Sequence, residues 1–200
     1  MQQPYAIILA GGRATRMGGG DKGLLPLGRS TLLEHVLDRI APQVAATALN
    51  ANGDPQRFAR FGLPVLADPV GGYVGPLAGV LAGLDWAAKE GAETIVSVAA
   101  DTPFFPCDLV ARLVLAAEGM QAPLALAATP DGRHPTFGLW PVALRDDLRG
   151  ALQGGLRKVV QWTDAHNAAT AMFDDGGDPF FNVNTPEDLA NAQAMQEAGQ

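Results

Sequence analysis

The chain switches repeatedly between short apolar runs and stripes of apolar residues at helical spacing. Tyr5 to Ala10 is an apolar run closed by Gly11 and Gly12, the form of a strand buried on both faces of a parallel sheet. Thr31 to Ala41 predicts a helix. Leu33, Val36, Leu37 and Ile40 recur on one face, and Thr31 with Glu34 makes a capping box in which each side chain serves the other's backbone N–H. A strand at Val44 to Asn50, a short helix around Pro55 to Arg60 and a brief strand at Pro64 to Ala67 come next. Leu77, Val80, Leu81 and Leu84 form the apolar stripe of a second helix from Pro76 to Lys89, which leads to a buried strand at Thr94 to Ala100. Asp101-Thr102-Pro103 stops that strand, and Leu109, Val110, Leu113 and Val114 mark a third helix. Repeated strand–helix alternation of this kind predicts an open α/β sheet with helices on both faces.

The last third is less regular. Pro123 to Ala128, Thr136 to Trp140 and Ala169 to Phe173 read as strands, and Leu144 to Leu152 and Lys158 to Asp164 as helices. A final helix opens with Thr185 as N-cap, Pro186 in its first position and Asp188 completing a box-like cap. Trp86, Trp140 and Trp162 are expected to pack in the core, and His35 and His166 to be structural or solvated.

At 200 residues the chain suits one domain with one substantial core, and no internal repeat or linker divides it. A hydrophobic fraction of 48% excludes disorder, and the scattered 24 Gly and 15 Pro exclude collagen-like order. The net charge of -7 argues against nucleic acid or an anionic membrane as partner, so any phosphate site must be a local basic island. The single cysteine, Cys107, cannot form an intramolecular disulfide and is expected to be a small buried residue in a reducing cytosol. The apolar N-terminal run lacks a basic flank and is interrupted by Gly11, Gly12 and Arg13. It predicts neither a signal peptide nor a membrane span, hence a cytoplasmic protein.

The basic island lies in the first loop, Gly11 to Lys22, where Arg16 and Lys22 stand among glycines directly after the first strand. Glycine lets a backbone approach a ligand closely and present successive N–H groups to phosphate oxygens, while Arg adds a fork and Lys a point charge. A P-loop would need Ser or Thr after its lysine, whereas Gly23 follows Lys22. A dinucleotide fingerprint would lead straight into a helix, whereas three further glycines and Pro26 intervene. A merely flexible surface loop does not explain two cations at the carboxyl end of the first strand, where open α/β sheets bind ligands. Asp101 leaves the strand Thr94 to Ala100 into a turn, a position suited either to holding Mg²⁺ through a hard oxygen or to capping the next helix. Paired with a phosphate loop, the metal reading is preferred.

Leu9-Ala10-Gly11-Gly12, Arg16-Met17-Gly18-Gly19, Asp21-Lys22, Asn50, Asp68, Gly75-Pro76-Leu77-Ala78-Gly79, Asp101-Thr102-Pro103, His134-Pro135 and Asn182-Val183-Asn184-Thr185-Pro186-Glu187-Asp188-Leu189 follow one another along the chain. In this order they resemble the molybdenum cofactor guanylyltransferases (MobA). The first loop alone would identify only the wider nucleotidyltransferase superfamily; the Gly75–Gly79 and Asn182–Leu189 segments narrow it.

The resemblance implies a three-layer α/β/α Rossmann-like nucleotidyltransferase fold with a mostly parallel central sheet. It also implies transfer of GMP from GTP to the terminal phosphate of Mo-molybdopterin, with release of pyrophosphate. One domain, residues 1–200, would bind GTP through its N-terminal half and molybdopterin through its C-terminal half. By motif position, Leu9, Ala10 and Gly11 would contact the nucleotide through the backbone, Lys22 would neutralise phosphate, and Arg16 would meet the leaving pyrophosphate. Asn50 and Asp68 would line the nucleoside pocket, Leu9 with Gly75 to Gly79 would read guanine, and Asp101 would hold GTP-bound Mg²⁺. His134, Asn182 and Asn184 would face the pterin, with Arg157 and Lys158 candidates for its phosphate. Other proteins of molybdenum cofactor biosynthesis, or recipient molybdoenzymes, are possible partners. The competing expectations are a related enzyme using CTP or a sugar phosphate and a non-catalytic nucleotide-binding module, which would not need Asp101.

Overall fold

The computed structural model describes residues 2–11, 20–71, 75–174 and 176–198. Its main sheet contains β1 (Tyr5–Leu9), β4 (Thr47–Asn50), β5 (Val65–Leu66), β6 (Thr94–Ala99), β7 (Ala125–Thr129), β8 (Gly132–Pro141) and β9 (Ala169–Met172), in spatial order β5-β4-β1-β6-β8-β7-β9. All pairings are parallel except the two made by β8, so β8 alone runs against the rest. The mostly parallel α/β sheet expected from the sequence is therefore present. Short β2 (Pro26–Leu27) and β3 (Ser30–Thr31) form a separate hairpin that the hydrophobic pattern is too short to reveal.

Side-chain alternation along the central strands divides the core into two layers. Ala6 and Ile8 of β1 and Val96 and Val98 of β6 face α1 (Leu32–Ile40) and α3 (Leu109–Ala116), while Ile7 and Ile95 face α2 (Pro76–Lys89), α4 (Arg145–Gln153) and α5 (Val159–Ala165). Burial of both faces explains why these strands read as continuous apolar runs rather than alternating ones. Trp140 and Trp162 are buried as expected, stacked with ring centroids 6.1 Å apart, and Trp86 is half-buried against Tyr5. His35 bonds the Leu27 carbonyl and His166 the Asp147 carboxylate, both structural contacts.

Both predicted capping boxes form. Thr31 N donates to Glu34 Oε2 at 2.7 Å at the start of α1. Ahead of α6 (Pro186–Ala198), the N–H groups of Asn184 and Thr185 both donate to Asp188 Oδ2 at 2.8 Å, and Asp188 N donates to Thr185 Oγ1. A third apolar cluster, Leu27, Leu32, Val183 and Ala192, clamps this C-terminal segment onto the small hairpin.

Three expectations are corrected. Cys107 is exposed, because it lies in the surface turn after Pro106 that leads into α3; Arg39 Nη1 donates to its sulfur at 3.4 Å. The strand expected at Val44 begins only at Thr47, after a 3-10 turn over Ala41–Gln43. The strand expected from Thr136 begins at Gly132 and takes in His134 and Pro135. The pairing skips from Leu126↔Gly138 to Ala127↔His134, so Pro135, which has no N–H for a ladder, sits within the irregularity. Among the described residues no helix is long and apolar enough to cross a membrane.

Candidate active site

Of the residues singled out for chemistry, Leu9, Ala10, Gly11, Asn50 and Asp101 stand at or just beyond the carboxyl ends of β1, β4 and β6, Asp68 follows β5, and His134 lies near the start of antiparallel β8. The backbone knits this edge together: Ala10 N donates to Asn50 O at 2.9 Å and Ala100 N to Leu9 O at 3.2 Å. Ala10 thus has its carbonyl rather than its N–H to offer a ligand, and Gly11 follows at the surface. Arg16 lies outside the described residues, as does most of the glycine-rich loop.

On one side of this edge stands an ionic cluster. Lys22 opens a 3-10 turn, Lys22–Leu24, and Gly23 lets that turn press against β6: a Cβ there would lie 3.2 Å from Ala100 Cβ. The Lys22 ammonium donates to Asp101 Oδ2 at 2.8 Å and to Asn184 Oδ1. The Lys22 and Asp101 side chains are only 12% and 17% exposed, so this pair is shielded from bulk water yet open on one side. Val183 N donates to Asp101 O at 2.9 Å and fixes the C-terminal segment against the end of β6. The N-cap position of α3 is Asp108, whose carboxylate accepts from Arg112 Nε, so Asp101 does not stand at the start of that helix.

On the other side of β1 lies an amide–carboxylate cluster. Asn50 is 6% exposed, and both hydrogens of its Nδ2 are committed, to Leu66 O at 3.1 Å and to Asp68 Oδ1 at 2.9 Å. Asn52 and Asp68 bond reciprocally, Nδ2 to Oδ2 at 2.8 Å and Asp68 N to Asn52 Oδ1 at 2.9 Å. Asp68 is thereby held in one orientation with lone pairs to spare, and Asn50 acts as its brace more than as a pocket wall. Gly79, on the first turns of α2, makes room for this arrangement: a Cβ would lie 2.6 Å from Leu9 Cδ2, 2.8 Å from Asn50 Cγ and closer still to Asn50 Oδ1. Gly79, the last residue of the Gly75–Gly79 segment, therefore lies against Leu9 and Asn50.

The residues expected on the pterin side are more dispersed. His134 shares a 3.0 Å hydrogen bond with Thr129 Oγ1 and stacks on Phe180 with ring centroids 4.3 Å apart. Burial holds its pKa below the ordinary 6.5, opposed in part by Asp178 and Asp131. Asn184 joins the Lys22 cluster, and Asn182 is exposed two residues before it. Arg157 Nη1 donates to the carbonyls of Leu152 and Leu156, and the Arg157 carbonyl lies 3.9 Å from where a Gly75 Cβ would be, beside the entry to α2. A cavity of about 580 Å³ there is lined in part by Gly155, Arg157, Lys158 and Gln161.

Two contributors escaped the sequence reading: Asn52, which orients Asp68, and Arg57, whose Nε lies 2.6 Å from Asp21 Oδ2. The signal for Asn52 was its place two residues beyond Asn50 at a strand end. For Arg57 there was none, since a lone arginine on a short helix looks like any solvated charge.

A donor set for a divalent cation can be tested on these residues. Among the described residues there is no group of three or more His, Cys, Asp or Glu side chains able to hold a metal. One carboxylate, Asp101, with the Asn184 carboxamide oxygen nearby, suits an ion such as Mg²⁺ that keeps waters and takes its remaining ligands from substrate phosphates.

The family model described as "MobA-like NTP transferase domain" matches residues 6–169. A molybdenum cofactor guanylyltransferase of Rhodopseudomonas palustris is 55% identical, the match covering 96% of this chain and 92% of that protein. One from Mesorhizobium japonicum is 50% identical over 96% and 95%. Among solved structures, molybdopterin-guanine dinucleotide biosynthesis protein A from Archaeoglobus fulgidus superposes with a TM-score of 0.73 at 23% identity, covering 97% of this chain and 99% of that one. A nucleotidyl transferase from Methanothermobacter reaches 0.77 at 18% identity, covering all of both chains; at these identities the likeness is one of fold.

Proposed function

The chain belongs to the MobA-like NTP transferase family, and from that premise we propose that it transfers GMP from GTP to the terminal phosphate of Mo-molybdopterin, forming the guanine dinucleotide and releasing pyrophosphate. The observation that carries the reading is the pairing of two clusters across the end of β1. The ionic cluster Lys22–Asp101–Asn184 suits phosphates, and the Asn50–Asn52–Asp68 cluster suits a nucleoside.

In the reaction an oxygen of the molybdopterin phosphate attacks the α-phosphorus of GTP, a new P–O–P link forms, and the bond to the β-phosphate breaks as pyrophosphate leaves. The nucleophile is a phosphate monoester already largely ionised near neutral pH, so no general base is needed. Placement of two anions in line and neutralisation of their charge do most of the work. Lys22 turns its ammonium from the Asp101–Asn184 pair toward a phosphate oxygen. Arg16, in the same loop, serves the departing pyrophosphate. Asp101 with Asn184 would hold a divalent cation, Mg²⁺ in our reading, which when bound supplies further charge neutralisation at the phosphates.

Guanine offers N1–H and the 2-amino group as donors and O6 as acceptor. The carbonyl of Ala10 and the second lone pair of the Leu9 carbonyl, whose first accepts from Ala100 N, supply acceptors, and the tight packing of Leu9 on Gly79 holds them near the start of α2. Asp68, braced by Asn50 and Asn52, takes hydroxyl or amino protons of the nucleoside. His134 and Asn182, with the amide hydrogens of Asn184 left over from the ionic cluster, face the pterin edge, which presents both donors and acceptors, and Arg157 and Lys158 meet the cofactor's phosphate. One domain thus binds the nucleotide with its N-terminal half and the pterin with its C-terminal half. Recipient molybdoenzymes or other cofactor-assembly proteins would take the product.

Pyrophosphate release measured with each of the four NTPs, Mo-molybdopterin and Mg²⁺ tests the reading. GTP-dependent turnover is expected; turnover with CTP and none with GTP would overturn it in favour of a related nucleotidyltransferase.

A further inference from the structure

Arg57 lies outside both clusters yet touches the base of each. Its Nε is buried and stands 2.6 Å from Asp21 Oδ2, an ion pair without the alignment of a linear hydrogen bond. Nη2 donates to Asn52 O at 2.6 Å and Nη1 to Asp54 O at 3.1 Å. The guanidinium also lies 5.0 Å from the ring centroid of Phe58, a fully buried core residue. Four different contacts from one planar group leave it little freedom, and a lysine could satisfy only part of them.

The two ends of this clamp differ in duty. Asp21 immediately precedes Lys22, and its carbonyl accepts from Leu24 N at 3.0 Å to close the turn that carries the lysine. Asn52 orients Asp68, which in turn holds Asn50. A continuous path, Lys22–Asp21–Arg57–Asn52–Asp68–Asn50, therefore joins the phosphate side to the nucleoside side through links that are covalent, ionic or hydrogen-bonded.

We propose that Arg57 is a positioning residue that sets the spacing between the phosphate-holding and nucleoside-holding halves of the site, so that one triphosphate can engage both at once. It touches no substrate; its effect is on the joint binding of two linked fragments, whose effective concentration depends on how well the two subsites are spaced. The proposal rests on the nucleotidyl-transfer reading above.

Calorimetric titration of the full chain with Mg²⁺ and either GTP, guanosine or tripolyphosphate tests it. In Arg57→Gln the affinity for GTP is expected to fall by about tenfold or more, while those for guanosine and tripolyphosphate each stay within about threefold of wild type. Arg57→Lys should restore part of the GTP affinity, and Asp21→Asn, which keeps the side-chain shape, should repeat the pattern of Arg57→Gln. Unchanged GTP affinity in both Arg57→Gln and Asp21→Asn would overturn the proposal. So would a parallel loss of fragment affinities, the signature of a site that has merely collapsed. If the wild type binds another nucleoside triphosphate and not GTP, the guanylyl reading fails, whereas the same comparison made with that nucleotide and its nucleoside still decides the role of Arg57.

Discussion

Gly79→Ala adds one methyl group at the closest-packed point of the site. The new Cβ would overlap the Asn50 carboxamide and lie 2.6 Å from Leu9 Cδ2, and α2, packed between the sheet and α4, has little room to retreat. Asn50 must leave, with loss of its bonds to Leu66 O and Asp68 Oδ1. Two hydrogen bonds at about 1 kcal/mol each and overpacking of about 1–3 kcal/mol are offset by about 1 kcal/mol of helix propensity gained on replacing glycine. The net destabilisation is about 2–4 kcal/mol, a fall in Tm of roughly 5–15 °C for a chain of this size. Loss of the Asp68 brace should also raise KM for GTP by about tenfold or more, equivalent to ~1.4 kcal/mol of binding. Gly83→Ala is the control. It too is overpacked, with a Cβ 2.8 Å from Ile95 Cδ1 and 2.9 Å from Ile7 Cβ, but on the core side away from Asn50, so it should lower Tm and leave KM for GTP near wild type. Scanning calorimetry and pyrophosphate release read both effects. A Gly79→Ala protein with wild-type Tm and KM would refute the packing argument.

Asp101→Asn keeps an acceptor for Lys22 but removes the charge, and should lower kcat by about 10²–10³-fold with little change in Tm, measured by pyrophosphate release; wild-type turnover would refute the metal-holding role of Asp101. His134 has a folded pKa pushed below 6.5 by burial, so the stability it contributes is complete above 6.5 and is lost as pH falls through the lower folded value. Urea midpoints between pH 8 and 5 should therefore decline less in His134→Gln than in wild type. The Asn184 N–H above all, with the Thr185 hydroxyl and N–H and the Lys22 ammonium, holds the Asp188 carboxyl below its ordinary 3.8. Its stabilisation is present above 3.8 and lost as pH falls through the lower folded value, and acid denaturation of Asp188→Asn should lack that limb.

Much of the architecture was legible because local physics suffices for it. A strand buried on both faces needs a continuous apolar run, as at Tyr5–Leu9 and Thr94–Ala99, and a helix on a sheet needs the stripe seen in Leu77, Val80, Leu81 and Leu84. The caps at Thr31–Glu34 and Thr185–Asp188 span three residues and were readable for the same reason. Pattern reading failed where a long-range partner overrode local preference. Ser97, buried in β6, accepts from Trp140 Nε1 and donates to Thr136 O, which helps draw the start of β8 past the end of β6 and carries His134 to the site edge. Cys107 is exposed because the turn before α3 runs over the surface, whatever the preference of its side chain.

From the sequence alone follow the α/β class, the order of most elements, and the kinds of side chain that stand at the strand ends. Only the tertiary structure decided which of those side chains are free to act. It joined Lys22 to Asn184 across 162 positions of chain, committed both Asn50 hydrogens so that Asp68 becomes the presented group, and set Arg57 between the two halves of the site. The reason is physical: periodicity and caps report contacts within a few residues, whereas a binding site is made where distant strand ends converge, and no local pattern records how their hydrogen bonds are shared out.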